Sequence, residues 1–154
     1  MISRTEAQEL VISWQNNGQK VVFTNGCFDI LHRGHIQYLQ EAKATGDKLI
    51  IGLNSDESVL RLKGKHRPVQ RVEDRAAILD ALACVDAVIE FVEDTPAELI
   101  SSLQPDVLVK GGDYTEDEIV GCDTVLSNGG EVKIIPLVAG ASTSNIISKI
   151  LSSK

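Results

Sequence analysis

The sequence predicts a three-layer α/β fold, a five-stranded parallel sheet with helices on both faces. Three observations carry this. Short apolar runs rich in β-branched residues alternate along the chain with segments of helical period, the order that βαβ units require. Those runs are continuous, as in strands buried on both faces, rather than alternating apolar with polar. The length, 154 residues with 43% hydrophobic, suits one core rather than two.

Each element follows in order. Val11, Ile12 and Trp14 belong to a first helix that "NNG" at 16–18 stops. "KVVFTN" is the first strand. Residues 34–45 form a helix with Ile36, Leu39 and Ala42 on one face, and Gly46 ends it. "KLIIGLN" is the second strand, and 55–62 a short helix. "VEDRAAILDALA" is a helix with Ala76, Leu79, Leu82 and Ala83 to one side. "VDAVIEFV" is the third strand. "TPAELISSL" starts a helix with Thr95 as N-cap and Pro96 at the first helical position. "DVLVK" is the fourth strand, "YTEDEIVGCDTVLSNGG" is helical or irregular, and "EVKIIPL" is the fifth strand. "STSNIISKIL" is a last helix with hydroxyl residues at its start. No internal repeat or linker interrupts the pattern.

Composition excludes several classes. A net charge of −7 argues against a nucleic-acid partner, since a phosphate backbone needs a basic face. No apolar run approaches the roughly 20 residues of a membrane helix. "MISRTEAQELVISW" lacks the basic-then-apolar pattern of a secretory leader, which predicts a cytoplasmic location. Cys27, Cys84 and Cys122 are far apart and form no CxxC pair, so neither a zinc knuckle nor a disulfide framework is expected. There is also no GxxxxGK[ST], no GxGxxG after the first strand, and no GxSxG.

In a parallel sheet covered on both faces, ligands sit beyond the carboxyl ends of the strands. Three distinctive segments follow strands: "GCFDILHRGH", "GGDY" and "AGASTSN". The first holds two of the three histidines, His32 and His35, with Gly34 between them. A metal pair would favour a four-residue spacing and a third ligand; the spacing is three, and only His66 and Asp29 could assist. A phosphate pair fits the place where a strand turns into a helix, with free N–H groups, a positive dipole end and a glycine that lets an anion approach. Two surface histidines remain the bland alternative. "RLKGKHRPVQR", residues 61–71, carries five basic side chains besides His66 and no acid, so it is either an anion-binding loop or a solvated one.

"TNGCFDILHRGHIQYL" resembles the HxGH signature of the nucleotidyltransferase superfamily of cytidylyltransferases and adenylyltransferases. The resemblance continues in order through "GLNSD", "RLKG", "RPV", "DRAAIL", "LVKGGDY" and "STSNII", and covers nearly the whole chain. "VKGGDY" followed by "NGGEV" resembles the bacterial D-glycero-β-D-manno-heptose 1-phosphate adenylyltransferases. In that group this unit is often the C-terminal half of a bifunctional protein with a ribokinase-like kinase. Whether the chain stands alone or is cut from such a protein is left open.

The resemblance implies a Rossmann-like form of the predicted fold. It implies a single nucleotidyltransferase domain over 1–154, with a helix in 1–19 packed on it. The implied reaction is transfer of AMP from ATP to the heptose 1-phosphate by in-line attack on the α-phosphorus, with Mg²⁺ on the phosphates and no metal ligand from the protein. A homodimer, a separate sugar kinase acting upstream, and use of the ADP-heptose product in lipopolysaccharide core are implied too. By the same resemblance His32 and His35 contact the triphosphate, and Lys63 lies over it from a mobile loop. Thr24, Asn25, Gly26, Cys27 and Phe28 line the nucleotide, with Gly34 keeping the approach clear. Arg75 binds phosphate or pairs at the surface with its acidic neighbours. Ser142, Thr143 and Ser144 meet phosphate oxygens, and Gly112 and Asp113 lie on the ribose or metal side. His66, Arg67 and Arg71 recognise the sugar phosphate or only shape their loop. Two alternatives stand beside this reading: a CTP-dependent cytidylyltransferase for glycerol 3-phosphate or a similar polyol phosphate, and a nucleotide-binding module without catalysis.

Overall fold

The five apolar runs become the strands of one parallel sheet: β1 Val21–Gly26, β2 Lys48–Asn54, β3 Ala87–Phe91, β4 Val107–Gly111 and β5 Glu131–Ile135. The computed structural model describes residues 1–153. In space the strands lie in the order β3-β2-β1-β4-β5. The chain therefore winds outward from β1 to β3, then returns to lay β4 on the other side of β1. The winding reverses between β1 and β4, where an open α/β sheet forms its crevice. Register is continuous across it, with Phe23 opposite Ile50 on one side and Leu108 on the other.

The helices are α1 Arg4–Asn16, α2 Arg33–Lys43, α3 Asp56–Lys63, α4 Val72–Asp80, α5 Ala97–Leu103, α6 Cys122–Ser127 and α7 Thr143–Ser152. A 3-10 turn, Glu116–Glu118, precedes α6. Because strand side chains alternate between faces, the buried residues divide into two cores. Phe23, Ile50, Ile89 and Leu108 pack with Ala7 and Val11 of α1, Leu99 and Ile100 of α5 and Val125 of α6. Val22, Ile51, Val88 and Val109 pack with Leu39 of α2 and Ala76 and Leu79 of α4. Each large side chain so buried contributes roughly 1.5–3 kcal/mol. Helix α1 is started by a capping box, in which Ser3 Oγ accepts from Glu6 N and Glu6 Oε2 accepts from Ser3 N.

Two local expectations are corrected. Thr95 is not an N-cap: it is exposed and bends ahead of the helix, while buried Pro96 takes the cap position and its carbonyl accepts from Ile100 N at 2.9 Å. Proline's fixed φ already suits the helix entry, so the start moves one residue on. The helix over 72–83 ends at Asp80, and Ala83 is exposed in the turn that follows. The segment 114–130 resolves into the 3-10 turn and α6.

The amino edge of the sheet is closed by aspartates. Asp47 Oδ2 accepts from Lys20 N at 2.7 Å, Asp86 Oδ2 from Leu49 N at 2.7 Å, and Asp106 Oδ2 from Val21 N at 2.8 Å. Each carboxylate precedes or opens one strand and receives an N–H at the start of its neighbour.

Candidate active site

The carboxyl edge is built differently. Strand β1 ends at Gly26, and α2 begins at Arg33 with His32 in the extended N-cap position. The turn between them is strained: Phe28 has φ +45° and Ile30 has φ +54°. A β-branched residue at positive φ is an outlier, and each such residue costs about 1–3 kcal/mol unless its surroundings hold it.

Asp29, between the two, supplies that hold. Its side chain is fully buried and accepts from Arg67 Nε at 2.6 Å, Val69 N at 2.9 Å and Gln70 N at 3.0 Å. Its carbonyl accepts from Thr143 Oγ1 at 2.6 Å, and Gln70 Oε1 accepts from Ile30 N at 3.1 Å. Burial alone would push the Asp29 carboxyl up, but the Gln70 and Val69 N–H groups and Arg67 reverse this and hold it below its ordinary value. One residue, through its carboxylate and its carbonyl, thus ties the histidine turn, the 64–71 segment and the start of α7 together.

The imidazoles of His32 and His35 stack with centroids 3.8 Å apart and planes 21° apart. Phe28 meets His35 edge-on at 5.4 Å. The Nδ1 atoms of both histidines are buried and make no hydrogen bond to the described residues. Burial lowers the pKa of His32; burial and then the neighbouring His32 lower that of His35 to about 4. Both rings are therefore neutral near pH 7, and each keeps one N–H to give.

Gly34 also has a packing role. A Cβ there would lie 3.0 Å from Ala141 Cβ and 3.1 Å from the His32 ring. The missing side chain therefore makes room for neighbouring protein atoms. It lets the residue before Ser142 and the His32 imidazole pack onto the first turn of α2. Two helix N-termini, of α2 and α7, consequently converge on one place.

They open into a cavity of about 680 Å³ at the carboxyl ends of the strands. His32, His35 and Gly34 line it, as do Asn25, Gly26, Cys27 and Phe28 from the end of β1. Ser142, Thr143 and Ser144 line it from the start of α7, and Lys63 and Arg67 from the basic segment. Lys63 is the last residue of α3 rather than part of a loop; Gly64, at φ +90°, ends that helix. Ser142 Oγ already caps α7 by accepting from Asn145 N at 3.1 Å. The Thr143 hydroxyl proton is likewise committed, to Asp29 O. Cys27 is half-buried, and burial pushes its thiol pKa up, so it stays protonated.

Other expected residues lie elsewhere. Thr24 is fully buried behind the cavity, its Oγ1 2.6 Å from Tyr38 Oη, which donates on to Val109 O. Arg75 is neither a phosphate ligand nor a surface ion pair in this geometry. It is 1% exposed, with Nε on Gln70 O, Nη1 on Cys27 O and Asn54 O, and Nη2 on Asp56 Oδ1. It braces the cavity floor from below. Gly112 donates its N–H to Ile135 O, and Asp113 is exposed; neither lines the cavity. His66 and Arg71 are exposed and stand off it, Arg71 at the N-cap position of α4.

Sequence reasoning gave Asp29 no structural role and passed over Lys110. The position of Asp29 between two strained residues had no sequence signal. Lys110 had one: it is the single charge in an apolar strand, one residue from its carboxyl end.

Three carboxylates line the cavity, and each is engaged. Asp29 has the partners given above, Asp94 Oδ1 accepts from Arg61 Nε, and Glu118 Oε2 accepts from Thr115 N and Oγ1. Among the described residues no cluster of three or more His, Cys, Asp or Glu side chains could hold a metal ion.

Residues 23–149 match the family model described as Cytidylyltransferase-like. The chain is 56% identical over 153 residues to the Bifunctional protein HldE of Wolinella succinogenes, covering 99% of this chain and 31% of that protein. It is 58% identical over 146 residues to the Bifunctional protein HldE of Paramagnetospirillum magneticum, covering 95% of this chain and 30% of that one. The chain thus spans less than a third of these relatives. Among solved structures it is similar to a lipopolysaccharide core biosynthesis protein from Thermoplasma volcanium, with TM-score 0.64 and 32% identity over 79% of this chain and 98% of that one. A pantoate-β-alanine ligase from Francisella tularensis shares the fold alone, at 14% identity and TM-score 0.61, over 100% of this chain and 80% of that one.

Proposed function

The chain belongs to the cytidylyltransferase-like family and is a nucleotidyltransferase, and from that premise we propose that it transfers AMP from ATP to D-glycero-β-D-manno-heptose 1-phosphate, releasing ADP-heptose and pyrophosphate. The observation that carries the proposal is the convergence of two helix N-termini on a stacked pair of neutral histidines. Helix N-termini offer unpaired N–H groups and positive dipole ends, which suit a polyphosphate. The sugar is supported by identity above one half to proteins named HldE over nearly all of this chain, and by a structural neighbour of lipopolysaccharide core biosynthesis.

An oxygen of the sugar phosphate attacks the α-phosphorus in line, and the bond to the β,γ-pyrophosphate breaks. Little covalent chemistry falls to the protein; its part is positioning and charge stabilisation. His32 and His35 each donate one N–H to phosphate oxygens. The arriving anion draws the rings toward the charged form, so they meet the charge that moves onto the leaving group. Lys63 closes over the phosphates from the end of α3. The N–H groups at the start of α7, with the Ser144 hydroxyl, complete the cradle.

Mg²⁺ fits this arrangement as a passenger of the substrate. The lining carboxylates are engaged, so phosphates and water would hold the ion, which neutralises charge across them. A homodimer, a cytoplasmic location and a separate sugar kinase acting upstream belong to the same proposal. No helix among the described residues is long and apolar enough to cross a membrane.

The test is pyrophosphate release with Mg²⁺, pairing ATP or CTP with heptose 1-phosphate or glycerol 3-phosphate. The expected result is release with ATP and the heptose phosphate only. Release with CTP would reassign the base while keeping the chemistry, and release with no pair would overturn the assignment.

A further inference from the structure

Lys110 is the penultimate residue of β4, beside Asn25 near the end of β1, at the crevice where the sheet reverses its winding. The residue is half-buried. Its ammonium lies within the cavity wall, and its one hydrogen bond to a described residue is to Asn25 Oδ1, at a long 3.3 Å. The Tyr114 ring centroid is 6.0 Å away, the outer limit of a cation–π contact. No carboxylate among the described residues lies within 4.0 Å of it, although the chain pairs Lys43 and Lys48 with Asp86 and Arg75 with Asp56.

An ammonium withdrawn from water with one neutral acceptor is unfavourable unless an anion joins it. Burial lowers its pKa; Cys27 acts in the opposite direction and the nearby Lys63 in the same one, and burial prevails. Two lysines facing one cavity without a free carboxylate between them make a place for an anion that the bare protein does not supply. The reaction brings two anions together there, and the α2–α7 cradle accounts for only part of their charge.

We propose that Lys110 is a substrate-binding residue whose ammonium contacts a phosphate oxygen at the β1–β4 crevice, as a second anchor separate from the histidine cradle. The proposal rests on the nucleotidyl-transfer reading. The phosphate comes either from the nucleotide or from the sugar acceptor, and the experiment separates them.

Lys110→Met keeps the length of the side chain and removes its charge; Lys110→Arg keeps the charge. ATP binding with Mg²⁺ is measured by calorimetry without acceptor, and the KM for heptose 1-phosphate by pyrophosphate release. The expected result is a roughly 10- to 100-fold loss in one of the two for Lys110→Met, the size of a lost hydrogen bond to a charged group, with substantial recovery in Lys110→Arg. A loss in ATP affinity assigns the contact to the nucleotide. A loss confined to the acceptor KM assigns it to the sugar phosphate. The thermal midpoint of Lys110→Met should equal or exceed that of the parent protein, because an unpaired buried charge is gone. Unchanged ATP affinity and unchanged KM would overturn the proposal, as would losses that merely follow a lowered midpoint. If the parent protein releases no pyrophosphate, the reaction is refuted, and the ATP arm still tests Lys110 by itself.

Discussion

The two edges of the sheet treat polar groups in opposite ways. At the amino edge Asp47, Asp86 and Asp106 each accept a strand N–H, and Asp86 also takes Lys43 and Lys48. At the carboxyl edge two imidazoles bury Nδ1 atoms with no partner among the described residues, a lysine lacks a carboxylate, and Phe28 and Ile30 take positive φ within a turn, whereas Gln104 at the amino edge takes it as a helix C-cap. Unsatisfied groups and strain lower stability, so they persist only where something overrides the local rules. The same sheet is therefore finished at one edge and left open at the other, and the open edge is the one to which the proposed transfer is assigned.

Asp29 is the exception that makes the open edge possible, and removing it should have the largest effect. Asp29→Ala strands Arg67 beside the buried turn and frees Phe28 and Ile30 from their hold. Breaking a buried ion pair on one side costs about 3–5 kcal/mol. Urea denaturation should show a loss of that size together with loss of pyrophosphate release. A loss below about 1 kcal/mol, the scale of an exposed pair, would mean that Asp29 is not the brace.

The histidines should behave in the reverse manner. His32→Ala and His35→Ala should each lower the rate of pyrophosphate release about 10²–10³-fold, as loss of one preorganised donor does. Stability at pH 7 should fall far less than with Asp29→Ala, because neither Nδ1 has a partner to lose. The acid response adds a second readout. The folded value of His35, about 4, lies below its ordinary 6.5, so the unfolded chain takes up the proton first as pH falls. Stability is therefore full above about pH 6.5, declines down to about pH 4, and is level for this group below that. His35→Ala should flatten that decline; an unaltered decline would place the acid sensitivity elsewhere.

How much of this was legible in the sequence follows from the same contrast. The strands were legible because a parallel sheet writes itself as unbroken apolar runs, and "KLIIGLN" is β2 residue for residue. His32, His35 and the hydroxyls at 142–144 were legible because the fold carries whatever follows a strand to one edge. What a sequence hides is which way a side chain turns once it arrives. Arg75 sits between two acids and an alanine and reads as exposed. Yet it lies three residues after Val72 and four before Leu79, on the buried face of α4, and that spacing was the available signal. Asp113 follows two glycines at the end of a strand and still does not line the cavity. Thr95 had the right residue type for a cap, but Pro96 took the cap position.

The smallest effect is expected at the finished edge. Asp86→Asn keeps an acceptor for Leu49 N and removes the charge opposite Lys43 and Lys48, side chains that are about a quarter exposed. The loss should be roughly 1 kcal/mol, with kcat and KM unchanged. Its pH window also differs. Burial raises the Asp86 pKa, but Lys43 and the Leu49 N–H bring it below the ordinary 3.8. Its contribution is thus complete above about pH 3.8 and disappears as pH falls through the lower folded value, beneath the window of His35. Strand β2 separates the two sites; from Leu49 to Asn54 it spans roughly 16 Å at the rise of a strand. Groups that far apart without shared partners add, so His35→Ala and Asp86→Asn combined should lose stability as the sum of the two within about 0.5 kcal/mol. A larger coupling between them would mean that the sheet transmits strain from the open edge to the closed one, and the division between a finished edge and a reactive edge would fail.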